Sequence, residues 1–205
     1  MADYDFSKAE VIVSVGADIL GDWQGGGYDT GYSAGRVPKN GKMSHHIQFE
    51  SNMSLSGANA DKRVAVKPSD LEKVMNALNG GSTSGLSEKV AAAVNHAKAQ
   101  LSAAGSKGVV VCGLDNVAAQ TMALKMNAGS EVMDTEKPRM VRQGNKAEVV
   151  RVMNGIMSGS VKGLIAVGVD PVYSFPGAGF AEAFANLELS ATFALKENAT
   201  AAASQ

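Results

Sequence analysis

The stretch Val11-Ile-Val-Ser-Val-Gly-Ala-Asp18 is an apolar, mostly β-branched run that ends in a Gly-x-Asp turn. The pattern returns in Leu164-Ile-Ala-Val-Gly-Val-Asp-Pro171. Short apolar runs of this kind are typical of buried parallel strands. A glycine at the carboxyl end of such a strand lets the backbone turn tightly, and ligands of open α/β sheets bind at those ends. The two copies predict a site of pseudo-twofold character, either built for one long ligand or inherited from an ancestor that bound one.

Around these two copies, strand candidates alternate with segments of helical periodicity. The strands are predicted at Val11–Gly16, His46–Glu50, Arg63–Lys67, Gly108–Gly113, Gly163–Gly168 and Ser190–Leu195. Helices are predicted after Pro68 with a Ser69/Glu72 capping box, over Leu86–Leu101, after an Asp115 cap, over Val149–Ile156 and over Phe180–Leu187. The alternation predicts an α/β fold, with a doubly wound, mainly parallel sheet flanked by helices, of the Rossmann-like type.

Two glycine-rich stretches interrupt the alternation. Trp23–Lys42 is long for a connection in a compact α/β unit, so we expect it to be functional or to pack against a missing part of a parent protein. Gly80–Gly85 is predicted to be a linker, either a natural hinge or an engineered splice, between a first α/β lobe (1–79) and a second (86–205) that completes the same domain. Both ends of the chain look cut, so we expect an excised piece of a larger protein.

Composition and charge exclude several classes of function. The chain has 205 residues and a formal net charge of −1 at pH 7, without a basic stripe, so nucleic acid is not an expected partner. No apolar run approaches the ~20 residues of a membrane helix, and no signal peptide begins the chain. We therefore expect a soluble piece with no targeting signal and no direct membrane insertion. Cys112 is the single cysteine, which excludes an internal disulfide and an iron–sulfur cluster held by this chain alone.

Candidate chemistry lies at the predicted strand ends. Asp18 and Asp170 either form a carboxylate pair, bind ribose hydroxyls or amide groups, or each hydrogen-bond their own turn. Lys196–Asn198, just past the last strand, lies at the same sheet edge as Gly168–Pro171 and is either a pocket rim or a solvated end.

The histidines and the nucleophile motifs point to no further site. His45 and His46 are adjacent on a strand and point to opposite faces, and His96 is expected far off on a helix, which argues against a shared metal. The sequence has no P-loop, no Gly-x-Gly-x-x-Gly opening a helix and no Gly-x-Ser-x-Gly elbow.

Several segments resemble the molybdopterin oxidoreductase family of the dimethyl-sulfoxide-reductase type. Phe6–Asp18 is similar to the first strand and Gly-x-Asn-Pro turn of that family, and Gly163–Pro171 is similar to the second such turn. Ile47–Pro68 stands where the family has its Asp-Pro-Arg segment, and Leu189–Ala201 resembles its Thr-x-Thr-Ala segment. The resemblance implies the fold of the family's cofactor domain.

A narrower resemblance is carried by Lys42–Arg63 and Phe193–Glu197. These stretches look like the molybdopterin-like region of the iron–sulfur subunit of alternative complex III, a quinol:electron-acceptor oxidoreductase of bacterial respiratory chains. That region is understood to carry no molybdenum cofactor. Asp18-Ile19 stands where the active family has Asn-Pro, and Glu50-Ser51-Asn52 where it has Asp-Pro-Arg. Carboxylates at these places would repel a pyrophosphate by on the order of a kcal/mol or more per contact.

The resemblance implies a non-catalytic scaffold domain of such a respiratory complex, without a cofactor, a metal or catalytic residues of its own. Its partners would be the missing domains of the parent chain and other subunits of a membrane-associated complex, exported or on the periplasmic side. One alternative is the nucleotide-binding domain of an active enzyme that holds molybdopterin guanine dinucleotide, and another is an unrelated nucleotide- or sugar-phosphate-binding module. The cofactor-binding positions, retained or vestigial, would be Gly16, Ala17, Asp18, Glu50, Asn52, Gly168, Val169, Asp170, Pro171 and Lys196.

Overall fold

The computed structural model describes residues 2–38, 41–140, 144–177 and 179–205, and the chain forms two compact units, Met1–Arg142 and Gln143–Gln205. The segment Gly80–Gly85 lies inside the first unit. In the described residues the strands are β1 (Asp3–Tyr4), β2 (Val11–Val15), β3 (His45–Glu50), β4 (Lys62–Ala65), β5 (Gly108–Cys112), β6 (Met133–Asp134), β7 (Gly163–Val167) and β8 (Leu189–Phe193). The α-helices there are α1 (Asp29–Gly35), α2 (Leu55–Asn59), α3 (Leu71–Leu78), α4 (Glu88–Ala104), α5 (Val117–Met126), α6 (Lys146–Met157), α7 (Pro171–Ser174), α8 (Phe180–Ala185) and α9 (Ala199–Ala203).

A four-stranded parallel sheet, in the order β4-β3-β2-β5, forms the centre of the first unit. In its register Val15 stands opposite Phe49 on one side and Cys112 on the other. The chain fills one side of β2 with β3 and β4 and then crosses to the other side with β5, which is the order of a doubly wound sheet. The predicted α/β class and the four predicted strands of this unit are confirmed.

Both faces of this sheet are buried, which explains why β2 is apolar at nearly every position. Val13 and Val15 belong to a core cluster that contains the apolar stripes of α3 and α4. Ile12, on the opposite face, packs in a second cluster with Phe6 and the tyrosines of the glycine-rich connection. Successive side chains of a strand point to opposite faces, so a strand between two helical layers needs an uninterrupted apolar run.

The outer edge of β5 is covered by side chains from the segment that follows it. Asn127 Oδ1 accepts from the Val110 N–H at 2.8 Å, and its Nδ2 donates to the Val110 carbonyl at 2.7 Å. Gln120 Nε2 donates to the Cys112 carbonyl at 3.0 Å. These amide groups satisfy backbone groups that a further strand would otherwise pair.

In the second unit, β7 and β8 form a parallel pair in which Val167 stands opposite Phe193. Leu164 packs with α6 and α8 in a cluster built around Ile156 and Phe184. The two strands predicted here are confirmed, and they form a sheet of their own in the described part of the chain.

Two local expectations about helix caps are corrected. The cap of α5 is Asn116, whose Oδ1 accepts from the Ala119 N–H, and not Asp115. The Ser69/Glu72 capping box does not form, because a 3₁₀ turn over Pro68–Asp70 precedes α3 and makes Asp70 the N-cap.

The glycine-rich connection Trp23–Lys42 packs against its own chain. The ring of Tyr28 lies 5.4 Å from that of Phe6, and the Arg139 guanidinium lies 4.5 Å from the Tyr28 ring centroid. Lys39 and Asn40 of this connection lie outside the described residues. A short antiparallel pair, β1–β6, was not predicted.

Candidate functional site at the strand ends

The carboxyl end of β2 is held by a carboxylate–hydroxyl contact. Asp18 Oδ1 accepts from the backbone N–H of Ser56 at 2.9 Å and from its hydroxyl at 2.7 Å. Ser56 is fully buried at the start of α2, and its Oγ also accepts from the Leu20 N–H at 2.9 Å. Asp18 therefore does not simply cap its own turn, but joins that turn to the helix that follows the neighbouring strand.

The carboxyl end of β7 has a similar arrangement, in which Asp170 also caps its own helix by accepting from the Tyr173 N–H at 3.2 Å. Asp170 Oδ1 accepts from the Thr200 hydroxyl at 2.6 Å and from the Thr200 N–H at 3.1 Å. Thr200 is fully buried near the start of α9, and its Oγ1 accepts from the Val172 N–H at 3.0 Å. The hydrogen bond from Thr200 holds the pKa of Asp170 below its usual value.

We call Asp18–Ser56 and Asp170–Thr200 the strand-end pairs. The glycines before them correspond as well, because Gly16 N–H donates to the Phe49 carbonyl and Gly168 N–H donates to the Phe193 carbonyl, at 2.8 and 3.0 Å. Both glycines are exposed and have a positive φ, +68° and +64°. The repeat seen in the sequence thus extends to the adjoining strand and helix of each unit.

Glu50, at the end of β3, is nearly fully buried and its carboxylate is surrounded by donors. Arg63 Nε donates to Oε1 at 2.5 Å, while the Ser54 hydroxyl donates to Oε2 at 2.6 Å and Gln48 Nε2 at 3.2 Å. Burial raises the pKa of Glu50, but the hydrogen bonds from Ser54 and Arg63 outweigh it and leave the pKa lowered. The carboxylate is ionised and already bonded within the chain.

Buried polar side chains on β3 form a hydrogen-bonded row, which we call the polar file, that ends at Glu50. His46 Nε2 lies 3.1 Å from Gln48 Oε1, and His46 Nδ1 lies 3.1 Å from the Tyr32 hydroxyl. Burial lowers the pKa of His46 to about 4, so the ring is neutral. Gln48 Oε1 can only accept, so Nε2 carries the proton and Nδ1 is an acceptor. The single Tyr32 hydroxyl proton has two acceptors within reach, His46 Nδ1 at 3.1 Å and the Asn59 carbonyl at 3.2 Å. Gln48 Nε2 also donates to the Ala17 carbonyl at 3.0 Å, which ties the polar file to the Gly16–Asp18 turn.

The structure places the predicted site residues in two groups. Gly16, Ala17, Asp18, Glu50 and Asn52 gather at the carboxyl ends of β2 and β3 in the first unit, with Asn52 exposed. The other group lies at the ends of β7 and β8 in the second unit and consists of Gly168, Val169, Asp170, Pro171 and Lys196. Pro171 is buried and opens α7, whereas Val169 and Lys196 are exposed.

Ser56 and Thr200 were not predicted as site residues. The sequence does carry a signal for them, since each stands seven positions after a strand-end phenylalanine, Phe49 or Phe193. Each also follows by two positions a helix cap, Ser54 or Asn198, whose side chain accepts a backbone N–H.

The histidine positions need one correction. His96 is not far from the strand, because its ring centroid lies 6.1 Å from that of His45. Across the described residues no group of three or more His, Cys, Asp or Glu side chains is arranged to hold a metal ion. A cavity of about 970 Å³ lies at the amino-terminal ends of β2 and β3, at the other edge of the sheet from Asp18 and Glu50. Its lining includes Glu10, His45 and Lys107.

No protein-family model and no curated protein sequence matches the chain.

Proposed function

We propose that this chain is a non-catalytic α/β scaffold domain of a respiratory quinol:electron-acceptor oxidoreductase, derived from a molybdopterin-binding fold and without the molybdenum cofactor. The respiratory complex in this proposal rests on the resemblance of Lys42–Arg63 and Phe193–Glu197, and one observation carries the absence of a cofactor. At the end of each repeated strand, the carboxylate and the donors that could meet a ligand are bonded to each other, as Asp18 to Ser56 and Asp170 to Thr200.

The charge at these positions supports the same conclusion. A dinucleotide bound at either strand end would bring its pyrophosphate to an exposed glycine turn, Gly16 beside Asp18 or Gly168 beside Asp170. The N–H and hydroxyl donors of Ser56 and Thr200, which could stabilise a phosphate, already donate to these carboxylates. Binding a phosphate would require breaking those bonds and placing like charges together, which opposes binding by on the order of a kcal/mol or more per contact.

The alternative is the nucleotide-binding domain of an active enzyme that holds molybdopterin guanine dinucleotide. It is favoured by the exposed, positive-φ glycines at both strand ends, because such glycines allow a backbone to approach a ligand closely. The two functions differ in what the intact parent contains, since only the alternative requires molybdenum with a pterin.

The partners in this proposal are the remaining domains of the parent chain and other subunits of a membrane-associated complex on the periplasmic side. No helix in the described part of the chain has the length and apolar character to cross a membrane. Attachment to the membrane in this proposal comes from those partners.

Calorimetric titration of the chain with GDP and GMP, with ADP for comparison, tests the proposal. We expect no guanine-selective heat from the native chain. Selective binding that is lost in Gly168→Ala but kept in Gly159→Ala would establish the alternative. Gly159 is the matched control because its φ of +71° carries the same backbone strain away from the strand ends.

A charge-neutral variant separates two reasons for weak phosphate binding, namely repulsion by the aspartate charges and the engagement of the Ser56 and Thr200 donors in hydrogen bonds. Asp18→Asn combined with Asp170→Asn keeps an acceptor oxygen for Ser56 and Thr200 but removes both charges. Guanine binding that appears only in this double variant would show a pocket closed by charge, in agreement with the proposal. Molybdenum and a pterin in the purified parent protein would refute it.

A further inference from the structure

One face of the β7–β8 pair is apolar and uncovered. Ile165 and Val167 of β7 are 59% and 67% exposed, and Leu189 and Phe193 of β8 are 55% and 65% exposed. The register places them on one face, with Val167 opposite Phe193 and Gly163 opposite Leu189. We call these four side chains the open face. Parallel strands are normally covered on both faces, and contiguous exposed apolar patches mark interaction sites.

The first unit shows what lies on the equivalent face. The shared contacts of the strand ends align Val167 with Val15 and Phe193 with Phe49, and these pairs have the same residue types. Val15 and Phe49 are completely buried in a cluster with Leu71, Val74, Met75 and Leu78 of α3 and with residues of α4. An apolar stripe at i, i+3, i+4 and i+7 of a helix therefore fits this surface.

In the first unit, the helix α3 that covers this face follows the edge strand β4. β4 pairs in parallel with β3, Val66 N–H donates to the Glu50 carbonyl, and the chain then turns at Pro68 into α3. The strand and the helix together form one covering segment, Lys62–Leu78.

On its other side β8 pairs with no strand in the described residues. Leu189 N–H and the Phe193 carbonyl bond toward β7, so the backbone groups of Ser190 and Thr192 point to this other edge. Ser190 is buried there, and its hydroxyl accepts from the Gln205 N–H at 3.0 Å, whereas Thr192 is partly exposed. This differs from β5, whose outer edge is covered by Asn127. An open edge beside an open apolar face accepts a strand and a helix together.

We propose that the open face and the outer edge of β8 at Thr192 bind a partner polypeptide through a parallel strand followed by an amphipathic helix, in the way that β4 and α3 cover β2 and β3. The strand supplies backbone hydrogen bonds to Thr192. The helix places an aliphatic stripe over Val167 and Phe193. This inference is independent of the proposed function, because it holds whether or not the parent protein binds molybdenum.

The test uses a synthetic peptide with the sequence of Lys62–Asn79 as the probe, added to the isotope-labelled 205-residue chain. We expect a saturable shift of the Thr192 amide resonance. Phe193→Glu should weaken binding about tenfold or more, because it puts a charge at the centre of an apolar contact. Leu195→Glu is the matched control, since Leu195 is fully exposed in the loop after β8, and it should bind as the native chain does.

Further variants make the result decisive. Ile165→Lys provides a second disruption of the open face on the other strand, and a peptide with Val74→Asp should not bind. The proposal is overturned if the Thr192 amide does not respond, or if Phe193→Glu and Leu195→Glu weaken binding equally. It is also overturned if sedimentation shows a dimer of the native chain that Phe193→Glu dissociates, because a second copy would then occupy the face.

Discussion

Asp18 and Ser56, 38 positions apart in the chain, are joined by two hydrogen bonds of 2.7 and 2.9 Å to a single carboxylate oxygen. Asp170 and Thr200 repeat this contact in the second unit. In both places a buried hydroxyl donates to the aspartate and accepts from the backbone two residues beyond it. A buried hydroxyl that both donates and accepts in this way ties the residues after each strand to the helix that follows the neighbouring strand.

Removing the hydroxyl should therefore destabilise each unit. In Ser56→Ala the Leu20 N–H loses its partner and Asp18 loses one of its two bonds, so we expect the free energy of unfolding to fall by about 1–3 kcal/mol. Urea unfolding followed by the fluorescence of Trp23, the single tryptophan, reports on the first unit. Ser33→Ala removes an exposed hydroxyl and should change the midpoint little.

The second unit offers the paired test. Thr200→Val should destabilise it, whereas Thr200→Ser should keep the bond to Asp170 and most of the stability. The pKa of Asp170 is lowered in the folded state, mainly by the hydrogen bond from Thr200. This hydrogen bond therefore stabilises the fold at pH values above the pKa of Asp170 in the unfolded chain, and the stabilisation is lost as the pH falls through the folded-state pKa. Circular dichroism across acidic pH should show a smaller loss in Thr200→Val than in the native chain. An unchanged acid profile would contradict a role for this pair.

His46 should make the first unit sensitive to mild acid. Its pKa is lowered by burial from 6.5 to about 4, so the unfolded chain takes up a proton that the folded chain refuses. The free energy of unfolding is therefore unaffected by His46 protonation above pH 6.5 and decreases as the pH drops toward 4, in total by on the order of 3 kcal/mol. His46→Gln cannot titrate, so its stability should decline less between these pH values. Parallel declines in the two proteins would show that other groups cause the acid sensitivity.

Much of the fold could be predicted because strand periodicity and β-branched composition are local properties. β2, β5 and β7 were identified from their own residues, and the helices between successive strands predicted parallel pairing, which is seen for β2 with β5 and for β7 with β8. The two-residue strands β1 and β6 give no such pattern, and their pairing depends on Val132 accepting the Asp5 N–H from a distant segment.

The strand ends were less predictable for a physical reason. The turns Gly16–Asp18 and Gly168–Pro171 could be predicted, because the Gly-x-Asp pattern that indicates them consists of adjacent residues. The Glu50 carboxylate is bound within the chain because Arg63, on the neighbouring strand β4, forms an ion pair with it. A single sequence does not state such contacts.

Asn127 should protect the outer edge of β5. Its side-chain amide pairs with both the N–H and the carbonyl of Val110, and Asn127→Ala leaves both groups open in a nearly buried place. We expect a loss of about 2 kcal/mol in unfolding free energy and faster aggregation on warming, because an unpaired edge accepts other strands. Asn59→Ala is the control, as it removes an exposed amide from α2. Equal effects in the two variants would show that the edge is not protected by Asn127.

Gly113, which follows β5, should tolerate no side chain. A Cβ placed there would lie 2.2 Å from the Gly16 carbonyl oxygen and 2.6 Å from the Ala17 Cα, and these are backbone atoms that cannot turn away. The backbone thus fills the point between β2 and β5 where doubly wound sheets hold ligands. We expect Gly113→Ala to lower the unfolding free energy by on the order of 3 kcal/mol. Gly144→Ala, where no atom lies within 4 Å of the added methyl, should be nearly neutral. If Gly113→Ala kept native stability, β2 and β5 would have room to separate, and a ligand could enter between them.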